Sequence, residues 1–401
     1  MMKIILICTT QFLINKNTYN KGGHQMIEYL EVRNSNREII GILDDFQSII
    51  WETNYYSTGA FEVYLRAVPQ YINVLQIGNY VTRPDDENIG IIENINVEYS
   101  EEFGKMIAAS GRFAKSILDR RIIYNASGNT TGKLSISPVI SSGLVETAVR
   151  KLITDHIISS PQTARNISFI TLGELQGITK KIVDESGKNT QVQTSFGNLL
   201  EYTDEMLHSY ELGAKMVFDR ETLQLKYTVY EGKDRSRNNT QNNLPIIMSQ
   251  EYDNFFSSKY EKNTTQIKNT ALIGGEGEGA DRFCTMIGIN AVGLNRREVW
   301  IDASAQSKTY EVNGEQKQYT DDEYLALLKS AGTQTIADYQ TTEIYDGELN
   351  INALTYKTDF NVGDIITVED NELNIYINPR IIAVIENQNE SGYSISISYG
   401  N

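Results

Sequence analysis

Residues able to carry chemistry are few in this 401-residue sequence, and they rarely stand at working spacings. Two cysteines, Cys8 and Cys284, cannot build a disulfide framework or a zinc site by themselves. His24, His156 and His208 leave little stock for acid–base or metal chemistry. The patterns H-E-x-x-H, C-x-x-C and G-x-S-x-G do not occur. Gly128-Asn129-Thr130-Thr131-Gly132-Lys133 resembles a phosphate-binding loop, but three residues separate its glycines where four are needed. Leu134 also stands where Ser or Thr would hold magnesium, so a surface hairpin is the better reading. Residues 274–282 are the most glycine-dense stretch. Glu276, Glu278 and Asp281 would repel a phosphate there, which leaves a calcium loop or a plain connecting loop, and composition favours the second. Acidic groups recur at Asp44-Asp45, Asp85-Asp86-Glu87 and Asp321-Asp322-Glu323. The last opens a helix, the second follows Pro84 in a turn, and all read as solvated. His156 and His208 fall on predicted helices without a nucleophile partner and read as structural. We therefore expect no catalytic, metal or cofactor-binding residue and no cofactor.

Hydrophobic residues make up 40% and charged residues 22%, so the chain can bury several cores and is not a disordered or collagenous polymer. Lys plus Arg is 36 against 52 Asp plus Glu, a net charge of −16. Tight nucleic-acid binding needs clustered cations, so this balance argues against it. It leaves room for DNA to slide past an acidic wall. Tyr is abundant at 24, suited to half-buried strands and wet interfaces. The apolar run Ile4-Ile5-Leu6-Ile7-Cys8 is too short to span a membrane, and no small-x-small cleavage site follows. Lys21-Gly22-Gly23 can be encoded as a bacterial ribosome-binding sequence lying about seven nucleotides before Met26, so residues 1–25 are expected to be a non-native extension.

The elements that must position any site are mostly strands. Alternating or short apolar runs occupy 27–32, 38–43, 46–53, 60–67, 77–83, 89–99 and 105–110. Such closely spaced strands suggest a β-barrel-like domain over 26–119. A mixed α/β region follows over 120–244. It should hold a helix after a Ser141-Ser142 cap, a helix over 196–212 stopped by Gly213, and a hairpin turning at 219–221. Residues 245–401 are β-rich again, with strands at 349–356, 364–369, 373–377, 381–386 and 393–399. Within them Thr320-x-x-Glu323 caps a helix near 321–331, ended by Gly332. The fold class is α+β, mainly β: two barrel-like domains around a mixed insert.

Four stretches together resemble the hub, or tail-tip, proteins of long-tailed bacteriophages, a siphophage family distantly similar to contractile-tail baseplate hubs. They are Trp51 through Leu65; Gly111-Arg112-Phe113 with Leu118-Asp119-Arg120-Arg121; Val229 through Ser236 followed by Ser249, Asp253-Asn254 and 274–282; and Gly293 through Glu298 with Ile301-Asp302-Ala303, Tyr356, Asp359-Phe360 and Val362-Gly363-Asp364. Asn295 departs from the pattern, where Asp would precede Arg-Arg-Glu. The resemblance implies a virion structural protein, not an enzyme. It would be a homotrimer whose two tube-like domains per subunit imitate sixfold symmetry against the tail tube or distal tail protein. DNA would leave through its lumen, and tail-tip or receptor-binding proteins would lie below. No wall-degrading extension accompanies it within these 401 residues. Two rivals remain. A tail-associated glycan hydrolase or peptidase requires a cleft with converging carboxylates, and a carbohydrate-binding adhesion module requires Tyr exposed in platforms.

Overall fold

The computed structural model describes residues 26–101, 104–126, 136–184, 187–194, 196–312, 315–339 and 342–400. The expectations for 1–25 and for the glycine–lysine stretch at 128–133 fall outside them. The first unit holds β1 (Leu30–Arg33), β2 (Ile39–Leu43), β3 (Phe46–Asn54), β4 (Ala60–Arg66), α1 (Pro69–Val74), β5 (Tyr80–Thr82), β6 (Ile89–Ile91), β7 (Asn94–Ser100) and β8 (Gly104–Arg112). The strand expected over 89–99 is divided at Ile92-Glu93, where the chain passes from one sheet to another. Alternate residues of β3, β4 and β8 (Ile49, Trp51, Phe61, Val63, Ile107) pack against Leu30, Val32 and Val81 of the smaller sheet β2-β1-β5-β6.

The middle unit carries β9 (Asn125–Ala126), β10 (Ile136–Ser137), β11 (Val139–Ser142), α2 (Val145–Ile153), β12 (Ile170–Leu172), β13 (Gln191–Thr194), α3 (Leu199–Ser209), β14 (Gly213–Asp219) and β15 (Gln224–Tyr230). Its core joins Val149, Leu152, Leu199, Leu207, Leu225 and Tyr227. The β14–β15 hairpin is as the alternation predicts. Two caps are not. Ser141 and Ser142 lie in β11, paired to β13, and α2 begins after Leu144 with no side-chain cap. After α3 the left-handed residue is Glu211 (φ 53°), while Gly213 opens β14. Gly213 is small because a Cβ there would stand 2.6 Å from the Tyr55 ring.

The last unit begins with β16 (Ile247–Ser249) and β17 (Phe255–Asn263). An insert follows: β18 (Thr270–Gly274), β19 (Cys284–Ile287), β20 (Glu298–Asp302), β21 (Thr309–Val312), β22 (Glu315–Gln318) and α4 (Asp321–Ile336). Then come β23 (Thr342–Leu349), β24 (Thr367–Asp370), β25 (Ile375–Ile377), β26 (Arg380–Asn389) and β27 (Gly392–Gly400). The Thr320–Glu323 capping box forms as expected. The helix nonetheless runs past Gly332, whose missing side chain admits Ile273 of β18. The strand expected over 349–356 ends at Leu349, where Asn350 accepts from the Asn352 amide (3.1 Å) and turns the chain.

The sheets are open, and no closed barrel is present among the described residues. Instead one eight-stranded antiparallel sheet, β17-β23-β27-β26-β3-β4-β8-β7, takes four strands from each end of the chain. Its halves repeat one another. In order of sequence, β3, β4, β7 and β8 occupy the same relative places as β17, β23, β26 and β27. The registers agree as well. Phe46 pairs with Leu65 beside a register shift, and Phe255 pairs with Leu349 beside another. Phe61 faces Gly111 as Tyr345 faces Tyr399, and Tyr99 faces Lys105 as Gln388 faces Tyr393. The smaller sheets correspond less closely: β1 pairs antiparallel with β5, whereas β16 pairs parallel with β24.

Candidate functional site

The eight-stranded sheet presents three features: an internal seam, two free edges and one face turned to solvent. At the seam β3 meets β26, with Trp51 opposite Glu386 and Ile49 opposite Gln388. Because strands alternate, Glu386 points into the core, where an isolated carboxylate would be costly. Arg83 answers it at 3.0 Å and also binds Asp85 at 2.5 Å, with its guanidinium 5.5 Å from the Trp51 ring. Lys357 reaches Asp86 (2.6 Å) and Glu386 (3.7 Å), and the Tyr393 hydroxyl donates to Glu386 (2.7 Å). Burial works against the charged form of Arg83, but Glu386 and Asp85 outweigh it and hold its pKa above the ordinary value. Burial likewise opposes charge on Lys357 and Asp85, and their partners again win, raising the first and lowering the second. The acidic triplet read as a solvated turn thus contains a buried member, Asp86, paired across the molecule.

Behind this seam all three units meet at a cleft of about 540 Å³. Asp364 organises the junction. It accepts from the Lys233 amide (2.8 Å), Arg235 Nε (2.9 Å) and the Asn361 amide (3.0 Å). Tyr55, buried, donates to Glu211 O and Tyr230 O, and burial pushes its pKa up to about 12. Two of the stretches singled out in sequence, 229–236 and 362–364, therefore come together here. Carboxylates do converge on the cleft, but each holds a cation: Asp85 to Arg83, Asp86 to Lys357, Glu87 to Lys215, Glu231 to Lys180 and Asp364 to Arg235. A general acid needs a carboxyl pKa raised toward neutrality, and Asp85 is shifted the other way.

The other candidates are each held in local contacts. His156 is buried. Its Nδ1 lies 2.9 Å from Leu152 O, its Nε2 accepts from the Tyr124 amide, and burial lowers its pKa. His208 lies against the Tyr56 ring (centroids 4.1 Å apart). In the glycine-rich loop Glu276 accepts from the Lys308 amide, while Arg282 bonds Gly275 O and Asp302. Among the described residues no three His, Cys, Asp or Glu side chains gather as a metal set. Tyr is mostly inside. Tyr99, Tyr252 and Tyr376 are the well-exposed ones among the described residues, on different elements.

The solvent-facing side of the sheet alternates with the core side and is mainly polar, with Ser48 and Glu52 on β3, Glu62 and Arg66 on β4, Asn387 on β26, and Ser394, Ser396 and Ser398 on β27, interrupted by exposed Ile50 and Phe256. Across all eight strands this face carries Glu52, Glu62, Glu98, Glu261, Asp346 and Glu348 against Arg66, Arg112 and Lys259. Among the described residues the two edges, β17 and β7, have no strand paired along one side, and β7 leaves Val97 and Tyr99 at 47% and 72% exposure. Sequence patterning locates these strands but cannot find Arg83–Glu386, whose members lie 303 residues apart.

What the geometry defines is an acidic molecule built on a duplicated sheet, with the carboxylates of its junction held in ion pairs. The chain belongs to the Siphovirus ReqiPepy6 Gp37-like protein family, which it matches over residues 29–401. Its fold is shared by the 43 kDa tail protein of prophage MuSo2 from Shewanella oneidensis (TM-score 0.53, 10% identity, covering 93% of this chain and 98% of that one). It is likewise shared by a tail protein from Neisseria meningitidis MC58 (TM-score 0.53, 13% identity, covering 93% and 96%). Among curated protein sequences none is a significant match.

Proposed function

We propose that this chain is a baseplate-hub or tail-tip subunit of a phage or prophage tail. It assembles as a homotrimer that connects the tail tube or distal tail protein to the host-contact apparatus, and the polar face of its sheet lines the DNA exit path. Residues 26–119 and 245–401 act as the two tube-like domains, with 120–244 set outside them. The observation that carries this reading is the duplicated sheet with two free edges. Within the chain, the first strand of one half pairs with the third strand of the other. The molecule has one further strand of each kind left over, β17 and β7, and they run in the right sense to pair antiparallel with those of another copy. A chain of such head-to-tail contacts closes only as a ring. Three copies give six modules, which match a sixfold tube.

The seam inside the chain predicts the register between chains. With Tyr260 standing for Trp51 and Val97 for Glu386, Tyr260 faces Val97 of the next copy and Glu261 faces Asn96. Oxidising a Glu261→Cys/Asn96→Cys variant in a Cys8→Ser/Cys284→Ser background should give covalent trimers on a non-reducing gel. Cross-links in assembled tails at other registers, or a single copy per tail, would refute the assembly.

A further inference from the structure

The chain leaving β17 is clamped to a loop that keeps apolar side chains in water. Arg297 donates from Nη1 to Thr264 O and from its amide to Asn269 Oδ1 (2.9 Å), and the Asn269 side chain donates to Asn295 O (2.6 Å). The Arg296 guanidinium braces the same loop against Ala291 O and Glu298. Held in this frame, Leu294 is 100% exposed, Val292 73% and Ile289 65%. Gly293, at φ 56°, makes the turn that presents Leu294. Ordering three such side chains outside the core has no folding benefit, and clustered exposed apolar groups mark contact surfaces.

We propose that this loop is a contact of the assembly, seated on the adjoining copy of the same chain beside the start of its β7. The inference rests on the trimer reading above and adds a second surface to it. The register decides the occupant. If Glu261 faces Asn96, then Thr264 faces Glu93 of the neighbour, just as the Tyr55 amide bonds Ile382 O (2.9 Å) at the seam inside one chain. The clamped loop then lies over the neighbour's turn at Ala114–Arg120, which follows β8 and leads to Ile122, itself exposed. At the internal seam the corresponding place is filled by the chain's own Tyr55 and Tyr56, packed edge to face, with Arg380 over the Tyr55 ring. Beyond the end of β17 the exposed apolar side chains of this loop are Ile289, Val292 and Leu294.

The test is Val292→Asp/Leu294→Asp introduced into the Glu261→Cys/Asn96→Cys, Cys8→Ser/Cys284→Ser protein. Both positions are exposed, so the variant should fold and melt like its parent. The yield of covalent trimer should fall by about tenfold or more, since each fully buried apolar side chain lost counts for at least that factor in an equilibrium. Undiminished trimer yield would overturn the loop contact while leaving the sheet pairing intact. Failure of the parent to cross-link at all would overturn both. In the Cys8→Ser/Cys284→Ser background, a Leu294→Cys/Ile122→Cys protein that forms disulfide-linked oligomers supports the contact directly, and one that forms only intrachain or no disulfides counts against it.

Discussion

Arg83 is the residue on which the seam turns. Its side chain is 1% exposed, and it neutralises Glu386, which is 4% exposed, from across the core. Removing one member of a buried pair leaves the other charge stranded. Arg83→Met should therefore cost about 3–5 kcal/mol in urea unfolding. Arg83→Met/Glu386→Gln should recover part of that loss, because the stranded charge is gone. The signs of the shifts set the pH window. Asp85 is lowered, so its contribution is present above its ordinary pKa of 3.8 and is lost as pH falls. Lys357 is raised, so its contribution is present below its ordinary value of 10.5 and is lost as pH rises. Tyr55 belongs to the same alkaline limb. Raised from 10.0 to about 12, it stabilises the fold below pH 10 and ceases to do so as pH climbs through 12. Tyr230 and Tyr356 are pushed the same way by burial. Tyrosine absorbance should therefore hold back a buried fraction that ionises only with unfolding. Complete tyrosine ionisation before the fold is lost would contradict the junction's burial.

At the scale of elements, the linker from β15 into the last unit is fixed by close approach. A Cβ on Gly232 would lie 1.8 Å from Gly363 O, which is backbone and cannot step aside. Gly232→Ala should then separate the linker from Asp364 and detach the middle unit. Faster amide exchange at Lys233 and Ile365, with the sheet still protected, is the expected result. Nothing in the residues around Gly232 announces this, since the obstacle is 131 positions away. What sequence does announce is local. Alternation at Phe61, Val63 and Leu65 makes β4 legible, and the Thr320–Glu323 box makes the start of α4 legible. Stops are harder to read. Gly213 and Gly332 have the look of helix ends, yet both are small to admit a ring or a methyl group from another element. The six-residue α1, opened by Pro69, is too short to show a period. The ionic seam and the edge-sharing of the two strand sets are relations between distant segments, and no window of sequence contains them.

For the whole molecule, the decisive property is which way the polar face of the sheet looks. Net charge −16 and a face with six carboxylates against three cations give passing phosphates little to hold. Ser394, Ser396 and Ser398 lie side by side on that face, next to the internal seam, and they are not needed for the core. Replacing them with lysine should leave folding and particle assembly intact while placing three cations per copy on the face we propose lines the DNA path. Each phosphate neutralised by a lysine steepens the salt dependence of DNA affinity by about one unit of log K per log salt. Particles built with the triple-lysine chain should therefore eject DNA slowly at low ionic strength and regain speed as salt rises, with the unmodified particle insensitive over the same range. If the lysine particles assemble and eject at the normal rate at every salt concentration, the face is not on the DNA path.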